Sequence, residues 1–292
     1  MYARSVRSAT RKRLVLLGAS GVAAVALVVL LASAYDNARQ DADAAGTVAR
    51  VVEPAVPPEL APMVASEPLP PLHEAPTNTE RRDRFIAYLA PIVSEVNDNV
   101  RKRRAAVLTV EQRLERTGEL APEEAAWVDA MVERYRVDAT TTADQIGGLK
   151  HRIDIVPVSL AVAQAGIESA WGTSRFAREG NNLFGKWCFN PGCGIVPARR
   201  PPTATYEVEA YDDVAGSVRS YIHHLNSHPI YEIMRERRAE ARAEQRPPMG
   251  ADLAAGLEFY SAKGYEYVEI IRHVIHTNEL DDLVQSDLAQ AE

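Results

Sequence analysis

The stretch Leu160–Trp187 reads LAVAQAGIESAWGTSRFAREGNNLFGKW, and its first half is apolar at nearly every position. A helix is expected from about Ser159 to Trp171, with Ser159 as N-cap after Pro157 and Gly172 as the C-terminal stop. Into this apolar helix the sequence sets one carboxylate, Glu168, on a face shared with Gln164, Ala165 and Trp171. Indole and aliphatic neighbours desolvate a carboxylate. Desolvation disfavours the charged form and raises the pKa. A carboxyl that stays protonated near neutral pH is a general acid. The alternative is a surface glutamate that caps the helix or pairs with Arg175.

Downstream, Asn181 to about Asp212 has little helical period. Its last part, TATYEVEAY, alternates: Ala204, Tyr206, Val208 and Ala210 point one way, and Thr205, Glu207, Glu209 and Tyr211 the other. A strand is expected there, as one arm of a small hairpin. The next helix carries Val214, Val218, Tyr221, Ile222 and Leu225 on one face, and two more are expected around 252–261 and 267–278. The charged run RERRAEARAEQR reads as a solvated face with i,i+4 pairs.

Upstream, Phe85, Leu89, Ile92, Val96 and Val100 recur at helical steps from Arg81, with Pro91 expected to kink the helix. A second helix starts at APEEAAW, with Pro122 in its first turn and a stripe of Trp127, Met131 and Tyr135. These two helices, residues 81–140, read as a helical arm packed on the domain; the heptads are too few for a coiled-coil arm. The fold class is therefore mainly α (α+β), with a small β insertion.

Arg4, Arg7, Arg11, Lys12 and Arg13 precede an uncharged run from Leu14 to Ala34. Roughly 20 apolar residues suffice to span a bilayer, and the flanking basic residues would stay in the cytoplasm. Residues 14–34 thus read as a transmembrane signal anchor, or as a signal peptide cut after Ala32-Ser33-Ala34. Either reading exports the rest to the cell envelope, and the anchor reading makes the membrane a partner through this segment. Eight of the 18 prolines fall between Pro54 and Pro76, so residues 35–80 read as an extended, disordered linker; residues 281–292 read as a tail. Cys188 and Cys193 bracket FNPG, and in an exported domain such a pair forms a disulfide over a turn. The histidines show no ligand spacing with the cysteines, so no metal and no cofactor are expected. A net charge of -7 argues against nucleic acid as partner.

Glu168-Ser169-Ala170-Trp171-Gly172, then Asn181-Asn182-Leu183-Phe184-Gly185, then Trp187-Cys188 are similar to the signature of the bacterial glucosaminidase family of cell-wall hydrolases, in its Bax-type branch. The likeness continues in YIHHLNSHPIYEIMR and YSAKGYEYVEIIRHVI, and runs from about Arg81 to Leu280. The resemblance implies a lysozyme-like helical lobe with a small β-hairpin lobe, and a catalytic domain at residues 141–280. It implies an endo-β-N-acetylglucosaminidase acting on peptidoglycan glycan strands, with Glu168 matching the catalytic acid. The second carboxylate of such enzymes lies on the β lobe; Glu207 is the first choice here, then Glu209, then Asp212. Asn182 offers an amide for hydroxyls and N-acetyl groups, and Phe184 and Trp187 offer rings to stack on sugar faces; Phe184 equally suits the core beneath the cleft. Tyr265 and Tyr267 match a tyrosine-bearing segment near the cleft. A lytic transglycosylase with a single glutamate and a non-catalytic wall-binding scaffold are the alternative functions.

Overall fold

A computed structural model describes residues 65–283. The basic N-terminus, the apolar run 14–34, most of the Pro-rich segment and most of the C-terminal tail lie outside the described residues. No helix among the described residues is long and apolar enough to cross a membrane.

The longest element is helix α1, Asn78–Thr117. Thr77 caps it by accepting from the Glu80 N–H at 3.1 Å, and Gly118 ends it in the left-handed region at φ 80. The helix runs through Pro91, because Phe85, Leu89, Val93, Val96 and Val100 bury one continuous stripe on both sides of the proline. Helix α2, Pro122–Tyr135, buries Val128 and Tyr135, while Trp127 and Met131 of the expected stripe are only partly covered. A further helix, α3, Thr142–Arg152, is capped by Thr141, which accepts from Asp144 N–H at 3.2 Å.

Helix α1 packs on α3, on α4 (Val158–Ser169) and on α6 (Val214–Ser227), and its buried side chains share one hydrophobic cluster with theirs. Asn97, buried in α1, donates to Val156 O at 2.8 Å and accepts from Val156 N–H at 3.2 Å, which ties α1 to the lead-in of α4. Helix α4 is covered on every side from Val158 to Gly166, as a helix apolar all round must be. It begins one residue earlier than expected. Ser159 is therefore not its cap but an interior residue, pressed against Gly250.

After helix α5, Arg175–Gly180, come strands β1 (Trp187–Cys188), β2 (Gly194–Ile195) and β3 (Glu207–Glu209). They form an antiparallel sheet in the order β1-β3-β2, with Trp187 and Ile195 both opposite Val208. So β3 is one arm of the expected hairpin, with β2 as the other arm, and it also pairs with β1 as the centre of a three-stranded sheet.

Helix α7, Glu232–Ala243, corrects the expectation of a solvated face. Arg235 and Arg238 are 0% and 1% exposed. Arg238 donates to His151 O and Arg152 O at the end of α3, and to Ile155 O at 2.9 Å; Arg235 donates to Leu225 O at 2.8 Å and His228 O at 2.9 Å at the end of α6. Cations among the last carbonyls of two helices satisfy acceptors that the helices leave open and oppose their dipoles. Helix α8, Gly250–Leu253, the 3-10 turn Ala254–Leu257 and helix α9, Tyr265–Thr277, complete the lobe.

The segment before α1 is also placed. A 3-10 turn, Leu72–Glu74, buries Leu72, Tyr88 OH donates to Glu67 O at 2.6 Å, and Ala215 N–H donates to Ser66 Oγ at 3.2 Å. The end of the expected linker, from Ser66 onward, is docked on the domain.

Candidate active site

Glu168 is the penultimate residue of α4 and is half-buried. Its Oε1 accepts a hydrogen bond of 2.7 Å from Tyr267 OH, which α9 presents from across the lobe. The Tyr267 hydroxyl in turn accepts from Gln164 Nε2 at 3.1 Å, and Gln164 Oε1 accepts from Tyr221 OH at 2.5 Å. These four side chains come from α4, α6 and α9 and form one hydrogen-bonded chain that ends on the carboxyl. Burial pushes the Glu168 pKa up, and the Tyr267 hydrogen bond partly opposes it; the net direction is upward. Burial likewise keeps Tyr221 and Tyr267 neutral, so both are available as donors.

Trp171, read from the pattern as sharing a helix face with Glu168, lies past the end of the helix. Helix α4 stops at Ser169, and the chain turns through Ala170, Trp171 and Gly172, all at positive φ of 53, 56 and 76. Trp171 folds back onto Gly166, where a Cβ would lie 2.9 Å from the indole, and meets Phe85 edge-on at 5.7 Å. Ser169 stitches the turn by donating to Ala165 O and accepting from Gly172 N–H at 2.8 Å. Arg175 does not reach Glu168; it pairs with Glu179 and donates to Val196 O.

Beyond Glu168 lies a pocket of about 250 Å³ walled by Phe184, Trp187, Tyr221, Tyr231 and Tyr260, with Lys186, Tyr211 and His224 at its polar side. Gly185 joins the two features: it lines the pocket, and a Cβ there would lie 3.8 Å from Glu168 Oε2. Phe184 stacks on Tyr221 at 3.9 Å, and Tyr260 donates to Phe184 O at 3.0 Å. Trp187 is 53% exposed and stacks on Tyr206 at 4.4 Å, which leaves one indole face open.

The other expected site residues separate by what they touch. Asn182 is 2% exposed. Its Nδ2 donates to Lys186 O and Glu209 O, and its Oδ1 accepts from Phe184 and Lys186 N–H, so the amide shapes the loop and has none of its groups left for a sugar. Tyr267 reaches Glu168, whereas Tyr265, two residues earlier, is 61% exposed. Glu207 is buried, and its two oxygens accept from Gly192 N–H at 3.2 Å and Gly194 N–H at 2.9 Å. Glu209 accepts from Tyr211 OH at 2.8 Å and lies 3.5 Å from Lys186 Nζ, both residues of the pocket wall. Asp212 is exposed, and its carbonyl accepts from Asn181 Nδ2 at 3.2 Å.

Cys188 and Cys193 are joined in a disulfide. With Glu207 they make the group of possible metal ligands found among the described residues. Their sulfurs are bonded to each other and offer no thiolate. Sequence reasoning placed Gln164 and Tyr221 only as helix-face and core residues, weighed His224 only as a metal ligand that it set aside, and gave no role to Tyr231, Tyr260 and Lys186. The run of tyrosines and histidines from Tyr221 to Tyr231 was the available signal.

The helical lobe thus holds a half-buried glutamate at a helix end, bonded by a tyrosine and joined through Gly185 to an aromatic pocket. The glucosaminidase family model, described as mannosyl-glycoprotein endo-beta-N-acetylglucosaminidase, matches residues 143–280. Protein bax of Escherichia coli (strain K12) is 30% identical over 204 residues, covering 69% of this chain and 71% of that protein. No solved structure matches. The chain belongs to the Bax-type glucosaminidase family.

Proposed function

We propose that the protein is an endo-β-N-acetylglucosaminidase that hydrolyses the glycan strands of peptidoglycan, with Glu168 as general acid. The observation that carries this is the Glu168 carboxyl itself. Burial raises its pKa, and its Oε1 is held by Tyr267. That bond leaves Oε2, beside Gly185, as the oxygen to carry the proton. In the reaction this proton passes to the glycosidic oxygen, the C–O bond breaks, and water completes the new reducing end. The aromatic walls of the pocket and the open face of Trp187 suit the apolar faces of pyranose rings.

The partner of Glu168 is argued from what the β-lobe carboxylates touch. Both oxygens of Glu207 serve the Cys188–Cys193 loop, which favours a structural part for that residue over activation of water. Glu209 borders the pocket but is engaged by Tyr211 and Lys186. This favours assistance from the substrate's own acetamido group, with Glu209 as the strand carboxylate available to steer water. The same observation supports a second reading, a lytic transglycosylase that works with Glu168 alone and leaves anhydro ends.

The apolar run Leu14–Ala34 supports a tether that holds the enzyme at the envelope face of a membrane, and the disulfide suits an oxidising compartment.

The test is digestion of purified peptidoglycan by the protein and by Glu168→Gln, with mass analysis of the ends. General acid catalysis is worth about 10²–10⁴-fold, and the variant should lose that much. Reducing N-acetylglucosamine ends are expected from the wild type. Anhydro ends would move the protein to the transglycosylases, and no products from a folded wild type that binds the wall would leave only a scaffold.

A further inference from the structure

The turn that ends the Glu168 helix places Ala170 and Trp171 at positive φ, a conformation that disfavours any residue with a Cβ. Such a turn persists only where its surroundings over-determine it. Three groups do so here. Trp171 is pressed on Gly166, Ser169 Oγ holds Gly172 N–H, and the far side of Gly172 is filled from outside the lobe. That filler is Leu72, 1% exposed: a Cβ at Gly172 would lie 2.5 Å from Leu72 Cδ1 and 3.1 Å from Phe85.

Leu72 belongs to the segment docked ahead of α1 and lies well outside the residues matched by the family model, 143–280. The segment is fastened independently at several points. Ser66 N–H donates to Asp213 Oδ2 at 3.3 Å, Ser66 Oγ accepts from Ala215 N–H at 3.2 Å, Tyr88 OH donates to Glu67 O at 2.6 Å, and Arg81 Nε donates to Leu72 O at 3.2 Å. Asp213 is also the cap of α6, where it accepts from Gly216 N–H.

We infer that Leu72 is a positioning residue for Glu168: the docked segment Ser66–Ala75 clamps the Ala170–Gly172 turn and so fixes the end of the helix that aims the carboxyl. This rests on the reading of Glu168 as the acid. The segment is the stretch through which any tether on the N-terminal side meets the catalytic lobe. Freeing Leu72 lets the turn relax, which lengthens the path from Glu168 to its leaving group and admits water beside the carboxyl. The first effect lowers kcat. The second weakens the burial that holds the Glu168 pKa up, so the alkaline limb of activity moves to lower pH.

The experiment compares the full chain with Leu72→Met, Leu72→Val, Leu72→Ala and Glu168→Gln on soluble glycan strands, with kcat, KM and the pH profile measured for each and folding checked by circular dichroism. Leu72→Ala should lower kcat about ten- to a hundredfold, the scale of a small misplacement of a catalytic group. KM should stay nearly unchanged and the alkaline limb should fall. Leu72→Val should lie between, and Leu72→Met should behave as wild type. If Leu72→Ala fails to fold, the same readouts on Leu72→Val decide. A kcat loss without movement of the alkaline limb, or no loss at all, overturns the inference and leaves Leu72 a plain core residue. The two ideas fail separately. An active Glu168→Gln removes the acid reading, whereas an inert Glu168→Gln beside wild-type-like Leu72 variants removes only the clamp.

Discussion

Glu168 sits between two opposed influences. Burial raises its pKa, and the Tyr267 hydroxyl, by donating to Oε1, stabilises the carboxylate and pulls the pKa back. On the proposed reading of Glu168 as the general acid, activity needs its protonated form and is lost as pH rises through this pKa. Tyr267→Phe removes the only downward influence, and the alkaline limb of kcat should therefore move to higher pH while kcat itself falls. A limb that stays in place or moves down would show that the hydroxyl does not touch the working carboxyl. Leu72→Ala should move the same limb the other way, which separates the two effects. Glu168 was legible as a candidate because a lone carboxylate in an apolar helix is anomalous. Its tyrosine was half-legible: Tyr265 and Tyr267 lie two residues apart on α9, about 200° around the helix at 3.6 residues per turn. Only one of them can face the cleft, and the packing of α9 on α4 chose Tyr267.

Among the elements, the β lobe departs most from its sequence pattern. Strict alternation over Ala204–Tyr211 correctly put Glu207 and Glu209 on one face, yet only Glu207–Glu209 pairs as strand. Alternation counts side chains per face and is blind to a loop arriving from 15 residues upstream to meet Glu207. The carboxylate satisfies two amides of a tight disulfide-closed turn, and hydrogen bonds to a charged group are worth about 1.5–3 kcal/mol each. Glu207→Gln keeps one good acceptor and loses the charge. It should lower the melting temperature while leaving the pH limbs of activity unchanged. Loss of an acid limb with unaltered melting would instead make Glu207 the base. Helix α7 was misread for a related reason: an arginine-rich run looks solvated unless the ends of α3 and α6 are known to abut it.

At the scale of the whole molecule, buried ionisable groups set the response to acid. Burial first, then nearby positive charge, lowers the pKa of His223 and of His224 to about 4 from an ordinary 6.5. The folded state therefore binds fewer protons than the unfolded chain between these values, and stability falls as pH drops from about 6.5 towards 4. Asp154 adds to this lower down. Burial alone would raise its pKa, but Arg238, Arg242 and Arg104 outweigh it, so its contribution holds above the ordinary 3.8 and is lost as pH falls below that. Melting temperatures taken from pH 7 to pH 4 should decline steadily, and His223→Gln should flatten the upper part of the decline. A flat profile across that range would contradict the burial of these rings. The sequence by itself determined the mainly helical class, the apolar helix around Glu168, the Asn181–Gly185 loop and the cysteine turn, because helical period, turn chemistry and short-range spacing act between near neighbours. Only the tertiary structure decided which tyrosine meets Glu168, that Glu207 serves a loop, that two arginines are buried, and that Leu72 packs against Gly172. Each of these depends on contacts between residues far apart in the chain, whose partners exist only once the core has packed.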